Sequence, residues 1–480
     1  MGNGKSASLP KEAWLNGVFR WYWPVLGATL PLSVRVFLPW SGVELIFPAE
    51  PLVAIGVILI AWELMRSNRS IRSLLAFRPH VLDVAVFAFL LGSIIAAAAA
   101  EHQLVAWKVV VVQVAYILVF YVAFRSRGPS ISSDLMRAWR WYAFAFLFVV
   151  LWAMVKEGLH GLDREASDHA AFPFFLDHTS YGAALCFMLP FFAMEMGRDG
   201  LKGGLRSRKV FYLLLTLVVL VALLLSYSRG AWMGAAAAGS GLIIARWRTP
   251  AHRLAALVLL FIVFAGSTLW LSGRPAVTRP QGERTGLWRS LASMTDLRTV
   301  PSNLDRIVRW RAAWSMFQES PITGQGPGAY PIVLPEHLSN TGASGPERVD
   351  PGAGPYRPWP LGGKVFEVRA DPVRDPSSGG SAHSEYLLAL SEGGLLLFLP
   401  WALLSLTLLI GQVLIDPCRH PMVRMVTFGI VAYLVHGLVN NFLDDAKLAF
   451  LFWSGAALIA TYDLRRGHPA RPEGPDHADH

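Results

Sequence analysis

The sequence predicts an all-α integral membrane protein, with about 12 transmembrane helices and one long periplasmic loop containing amphipathic helices. Three observations predict it. Of 480 residues, 54% are hydrophobic and 16% charged, where a soluble domain carries about a quarter charged residues. The apolar residues are bunched into runs that reach the roughly 20 residues a helix needs to cross a bilayer, rather than the short alternating segments of a membrane barrel. The connections between those runs alternate between basic and non-basic, as the positive-inside rule requires.

Hydropathy centres the spans near Gly27, Val57, Phe89, Val114, Phe146, Phe187, Val218, Ala237, Ile262, Pro400, Ile430 and Ala456. The first is the weakest, being short and interrupted by Arg35. Basic residues fill every second connection: Arg66 to Arg78, Arg125 to Arg140, Arg198 to Lys209, Arg246 to Arg253, Arg419 with Arg424, and the tail from Arg465. These are expected in the cytoplasm, with both termini. The net charge of +10 is then an orientation signal and not a nucleic-acid surface. The expected organisation is a cytoplasmic segment over 1–19, nine helices over 20–271, a periplasmic loop domain over 272–383, three helices over 384–463 and a cytoplasmic tail over 464–480. The start "MGNGKSASLPKEAWLNG" has no apolar core, so no cleavable signal is expected. The two cysteines, Cys186 and Cys418, suggest neither a disulfide nor a thiolate metal site. Glu50 and Lys108 lie within or beside spans, where buried ion pairing is the default.

Within the long loop, "SNLDRIVRWRAAWSMFQESP" places Ile307, Trp310, Trp314 and Phe317 at helical spacing and ends at Pro321. It reads as an amphipathic helix lying over the outer membrane face. "LSNTGASGPERVDPGAGPYRPWPLGG" lacks periodicity and reads as mobile loop, while "GQGPGAY" follows no strand and reads as a tight turn.

Four polar pieces face the outer side. "SYSRGAW" puts Arg229 at the edge of hydrocarbon, where a charge needs a partner, a cavity or a task, and Gly230 lets something approach closely; the alternative is a snorkelling anchor. Arg306 shares its helix with Arg309 and Arg311, which read mainly as surface charge, so a headgroup-binding face is the alternative there. His383 stands before the tenth span, where Ser381 or Ser384 can cap the helix. In "FPFFLDHTSYG", Asp177 and His178 form a proton-handling pair, or Asp177 caps the sixth span. Asp444 and Asp445, after Asn440 and Asn441, orient a sugar or balance the arginines, or belong to a solvated loop.

The order of these motifs resembles the O-antigen ligase and polymerase superfamily, integral-membrane glycosyltransferases of the bacterial envelope. "SRGAW" matches its inner motif. "DRIVRWRAAWSMFQESPITGQGPGAYP" is similar to its R-x-x-x-W … P-x-x-G-x-G-P-G segment, with Arg306 and Trp310 at the R and W positions. "AHSEYLLALSEGGLLLF" is similar to its histidine segment, with His383 as the histidine. The stretch between the Arg306 helix and His383 is longer than the pattern. The resemblance implies inverting transfer of a glycan from undecaprenyl diphosphate to an acceptor hydroxyl on the periplasmic face of the bacterial inner membrane, most like O-antigen ligation to lipid A-core. It implies no nucleotide sugar, cofactor, metal or nucleic acid. Arg229 and Arg306 would hold the diphosphate, since guanidinium matches phosphate oxygens with a planar fork of donors. His383 would accept or position the acceptor's proton. Asp177, His178, Trp310, Asp444 and Asp445 would line the substrate site. A polysaccharide polymerase and a protein O-oligosaccharyltransferase are alternatives within the same chemistry. A transporter or flippase of an anionic lipid is the alternative of another class, and it would show repeats and broken helices; the sequence shows neither.

Overall fold

The computed structural model describes residues 10–38, 43–66, 79–126, 131–162, 164–197, 206–247, 249–259, 301–340, 356–361, 364–369, 381–415 and 420–466. Among the described residues, six helices are long and apolar enough to cross a membrane: α3 (Val81–Ala99), α4 (Gln103–Arg125), α5 (Ser133–His160), α7 (His178–Gly197), α8 (Ser207–Leu225) and α12 (Glu385–Ile415). The protein is a helical membrane protein. The centres at Gly27, Val57, Ala237, Ile430 and Ala456 fall on α1 (Pro10–Leu32), α2 (Ala49–Arg66), α9 (Arg229–Ile244), α13 (Pro421–His436) and α14 (Ala446–Arg466), which are shorter or carry more charge. Ile262 and Cys418 lie outside the described residues, as do most of the long loop's first and last thirds.

Two hairpins depart from the all-helical expectation. Arg35 does not interrupt a span. It sits on β1 (Val34–Leu38), paired antiparallel with β2 (Val43–Phe47). Between 356 and 369, where an irregular loop is expected, β3 (Tyr356–Leu361) pairs antiparallel with β4 (Lys364–Arg369). Glu50 is half-buried and accepts the Ile46 amide at 3.1 Å, while Lys108 is exposed, so the default of buried ion pairing does not hold for Lys108. Buried ionic groups elsewhere are satisfied. Asp83 takes Arg125 at 3.0 Å and the Tyr121 hydroxyl at 2.6 Å, and Glu195 takes Arg140 and Arg208. Removing one partner of such a pair would leave an uncompensated charge in a low dielectric.

Small residues bring helices together. On α9, Gly230 and Gly234 stand one turn apart against α13, where a Cβ on Gly234 would lie 2.4 Å from the Ala432 carbonyl oxygen. This is the small-xxx-small solution to packing in lipid, where close backbone approach replaces hydrophobic drive. The helix over the long loop, α10 (Pro301–Glu319), uses the same device. Its stripe buried in the protein is Val308, Ala312, Ala313 and Met316. Ile307, Trp310 and Phe317 are half-buried and Trp314 is 49% exposed. Alanines let α10 lie close on α12, and the larger rings are left to the outside.

The glycine-rich turn after α10 is a turn, as expected, but with an unforeseen job. Gly324, Gly326 and Gly328 all have positive φ, which costs glycine nothing. The turn's backbone enters a break in α12 at Gly394, itself at φ 56°. Gln325 and Gly326 donate to the Ser391 and Glu392 carbonyls at 2.9 and 2.8 Å, and Leu395 and Leu396 donate back to Pro321 and Ile322. Glu392 completes the splice by accepting the Tyr330 amide at 3.2 Å. The expectation of unbroken helices is thereby corrected. The freed backbone groups are re-satisfied by protein and not by a substrate.

Candidate functional site

The candidate site is built from four connections, those before α7, between α8 and α9, before α12 and between α13 and α14, together with α10. The "SYSRG" turn is made by its serines. Ser226 Oγ donates to the Leu223 carbonyl at 2.8 Å and closes α8, and Ser228 Oγ accepts the Ala231 amide and opens α9. Between them Tyr227 adopts φ 48°, a conformation that L side chains rarely take, and its hydroxyl donates to the Leu162 carbonyl at 2.8 Å. Arg229 is therefore the first residue of α9, half-buried. A cation there opposes the helix dipole. An anion drawn to both would offset the cost.

Gly230 admits a close neighbour, as expected. That neighbour is His436, whose Cδ2 would lie 2.2 Å from a Cβ on Gly230, with Val439 Cγ2 at 3.1 Å. His436 is fully buried, and its Nε2 meets Asn440 Nδ2 at 3.0 Å. On the other flank of this turn, Arg306 Nε donates to the Val439 carbonyl at 3.2 Å. Arg229 and Arg306 thus flank one turn, 436–440. Burial pulls the Arg306 guanidinium below its ordinary value, against the attraction of Asp305 and with the repulsion of Arg164. Guanidinium stays charged in proteins, so this cost is one that a bound anion would relieve.

His383 is held by α10. Trp310 Nε1 donates to the His383 carbonyl at 3.3 Å, and Arg309 donates to the Ser381 carbonyl at 3.1 Å. Ser381 Oγ accepts the His383 amide and Ser384 caps α12. The two serines do cap this segment, but the histidine is not thereby consumed. It sits at φ 47°, strained backbone of the kind that persists where the surroundings over-determine it. Its Nε2 lies 3.8 Å from Asp305 Oδ2. Burial, then the charges of Arg309 and Arg306, push its imidazole down to about 4, against Asp305 and Asp177. The ring is neutral near pH 7 and can accept a proton. Arg309 is corrected from surface charge to a buried residue, 4% exposed, with Asp305 Oδ2 3.0 Å from its Nε. Arg311 is exposed, as expected.

The carboxylates divide. Asp177 caps α7, its Oδ1 accepting from the Thr179 amide at 2.7 Å and the Ser180 amide at 2.8 Å. His178 does not pair with it; its Nδ1 stands 3.0 Å from Asp168. Asp445 caps α14 through the Lys447 amide at 2.9 Å, and the Lys447 ammonium donates to the Phe174 carbonyl, joining this turn to the segment before α7. Asp177 and Asp444 are exposed. Desolvation and the neighbouring Asp445 push the Asp444 carboxyl up to about 6. The charge of Asp177 is felt by His383, His436 and Asp444 alike, so these groups are near neighbours. Trp310 is bonded to the His383 segment, Arg306 to the 436–440 turn on which Gly230, beside Arg229, also packs, and Asp177 is linked to His383 and Asp444 by its charge. His178 and Asp445 have structural partners.

Sequence reasoning missed Asp305, His436, Asn440 and Glu385. Asp305 was within reach, being adjacent to Arg306. The others carried no spacing signal. Among the described residues no group of three His, Cys, Asp or Glu is placed to hold a metal ion. Two arginines, a neutral histidine and a carboxylate behind it suit displacement of a polyanionic leaving group by a hydroxyl.

Comparison with known families agrees with the motif order. A family model described as O-antigen ligase matches residues 214–402, which contain Arg229, Arg306, Trp310 and His383. No curated protein matches the chain.

Proposed function

We propose, because a family model described as O-antigen ligase matches residues 214–402, that the site around Arg229, Arg306 and His383 transfers a glycan from undecaprenyl diphosphate to an acceptor hydroxyl, in the manner of O-antigen ligation to lipid A-core on the periplasmic side of the inner membrane. Arg229 and Arg306 bind the diphosphate with their planar donor forks. The acceptor oxygen attacks the anomeric carbon from the face opposite the diphosphate. The carbon–oxygen bond to phosphate breaks, and undecaprenyl diphosphate leaves with the bonding pair. Configuration inverts. The acceptor proton passes to His383, and Asp305 at 3.8 Å favours the imidazolium as it forms. Charge develops on the leaving oxygen where the arginines already stand, so stabilisation needs no reorganisation. No nucleotide sugar or metal enters the step.

One observation carries this reading: His383, on strained backbone with Asp305 3.8 Å from its Nε2, is tied through α10 to Arg306, and Arg306 binds the 436–440 turn against which the start of α9, with Arg229, is packed. The break in α12 gives the transporter its best argument, since broken helices mark carrier sites. That break is spliced by the 321–326 backbone, which binds the Ser391 and Glu392 carbonyls and the Leu395 and Leu396 amides and so competes with any cargo for them. The test incubates purified protein and lipid-linked glycan with lipid A-core, a second lipid-linked glycan, or a pilin-like protein. Glycan on lipid A-core supports ligation. Product only on the second lipid-linked glycan makes the chain a polymerase, and only on protein a protein-glycosylating enzyme. Movement of lipid across vesicles with no new glycosidic bond overturns the proposal.

A further inference from the structure

We infer that Glu385, which the proposed chemistry does not use, is the positioning residue that sets both diphosphate-binding arginines relative to His383. The inference rests on the proposed reading of Arg229, Arg306 and His383. Glu385 is buried at the first turn of α12, two residues after His383. Its amide donates to the Gly437 carbonyl at 2.9 Å and to the Asn440 carbonyl at 3.1 Å. Its Oε1 accepts the Phe442 amide at 2.6 Å and the Leu443 amide at 3.1 Å, and it also accepts the Tyr433 hydroxyl. One residue therefore grips both ends of the 437–443 connection.

What that connection carries gives the grip its meaning. Val439 offers the carbonyl that Arg306 binds. Asn440 holds His436, and His436 is the wall against which Gly230 packs, beside Arg229. Each arginine thus takes its position from the same short turn, and the turn takes its position from Glu385. Because His383 precedes Glu385 on the same continuous segment, the acceptor side and the leaving-group side share one reference point. Side chains set this way lose much of their effect if the reference moves by an ångström. Three donors on one oxygen also offset part of the cost of burying this carboxyl group.

All three donors converge on Oε1, and this separates positioning from acid–base chemistry. In Glu385→Gln the amide oxygen occupies the same place and accepts the same bonds. In Glu385→Ala nothing does. The experiment uses the full-length protein in detergent, with each variant first checked for monodispersity. It reads three quantities: glycan transfer, binding of undecaprenyl diphosphate, and hydrogen exchange at the Phe442 and Leu443 amides. Glu385→Gln is expected to keep transfer and binding within about threefold, the scale of a sub-kcal/mol change. Glu385→Ala is expected to lose roughly 100-fold in turnover, to weaken binding of undecaprenyl diphosphate, and to expose the two amides. Added to Arg306→Ala, it should lower binding little further, since coupled residues are non-additive. Three results would overturn the inference: loss of transfer in Glu385→Gln with the amides still protected, normal binding and turnover in Glu385→Ala, or fully additive losses in the double variant. Should Glu385→Ala fail to stay monodisperse, Tyr433→Phe, which removes one of the three bonds, replaces it, with a smaller loss of the same kind expected and none overturning the inference. Wild-type protein that shows protected amides but no transfer in any acceptor arm would refute the proposed reaction and leave the hydrogen-bonded grip standing.

Discussion

Adding one methyl group at Gly230 should nearly silence the enzyme, while the same change nine residues further along the same helix should not. A Cβ on Gly230 would lie 2.2 Å from His436 Cδ2 and 2.5 Å from Nε2. Carbon atoms rest about 3.5–4.0 Å apart, so α9 and the His436 ring must separate by at least roughly 1.3 Å. The ring cannot give way cheaply, because it is fully buried and bonded to Asn440. Overpacking of this kind costs about 1–3 kcal/mol in stability. The functional loss should be larger, since Arg229 is the next residue and a 1 Å misplacement can cost roughly 100-fold in rate. Gly239→Ala is the control. Its nearest neighbour would be Phe428 Cε2 at 4.0 Å, so the change should be silent or gain up to about 1 kcal/mol from helix propensity. The assay compares initial rates of glycan transfer and melting temperatures of the two purified variants. Equal, wild-type rates for both would refute the claim that the α9–α13 contact places Arg229.

Three further outcomes follow from the same geometry. Transfer should be insensitive to pH from about 6 to 8 and fall as pH drops toward about 4, where His383 takes up a proton; stability linked to this histidine is fully present above its ordinary value of 6.5 and is lost as pH falls through that window; a pH–rate profile with its acid limb near 6.5 would contradict a buried, arginine-flanked imidazole. Arg309→Ala should cost about 3–5 kcal/mol, because it leaves Asp305 unpaired beside His383 and frees the Ser381 carbonyl; a melting temperature equal to wild type would return Arg309 to the surface role that its charge pattern suggests. Asp177→Ala should lose about 1 kcal/mol through the α7 cap, with Asp177→Asn recovering most of it; turnover abolished in both, with α7 intact, would make Asp177 a participant in the chemistry.

How much of this was legible in the residues depends on the range of the interaction. Charge near hydrocarbon is a local signal, and it singles out Arg229; Arg306 and His383 stand out mainly through the motif resemblance. Turn chemistry is local too, so "GQGPGAY" could be read as a turn. What it closes, the break in α12, lies some seventy residues away at Gly394 and has no counterpart in hydropathy, because a helix spliced by foreign backbone is as apolar as a whole one. Periodicity describes α10 only in part. It picks out Trp310, Trp314 and Phe317 as an apolar face, whereas packing against α12 uses another face, selected for fit, and Ala312 and Ala313 fit. Once that face is turned, Arg309 turns with it into the protein, and its charge becomes part of what keeps His383 neutral. The same logic reaches Glu385. Its partners Tyr433, Phe442 and Leu443 are 48, 57 and 58 residues distant, and two of the three contacts are made by backbone amides, which every residue carries and no sequence pattern reports. A site can therefore announce its reacting groups in sequence while leaving its scaffold silent, because reacting groups are rare side chains in costly places and the scaffold is largely main chain.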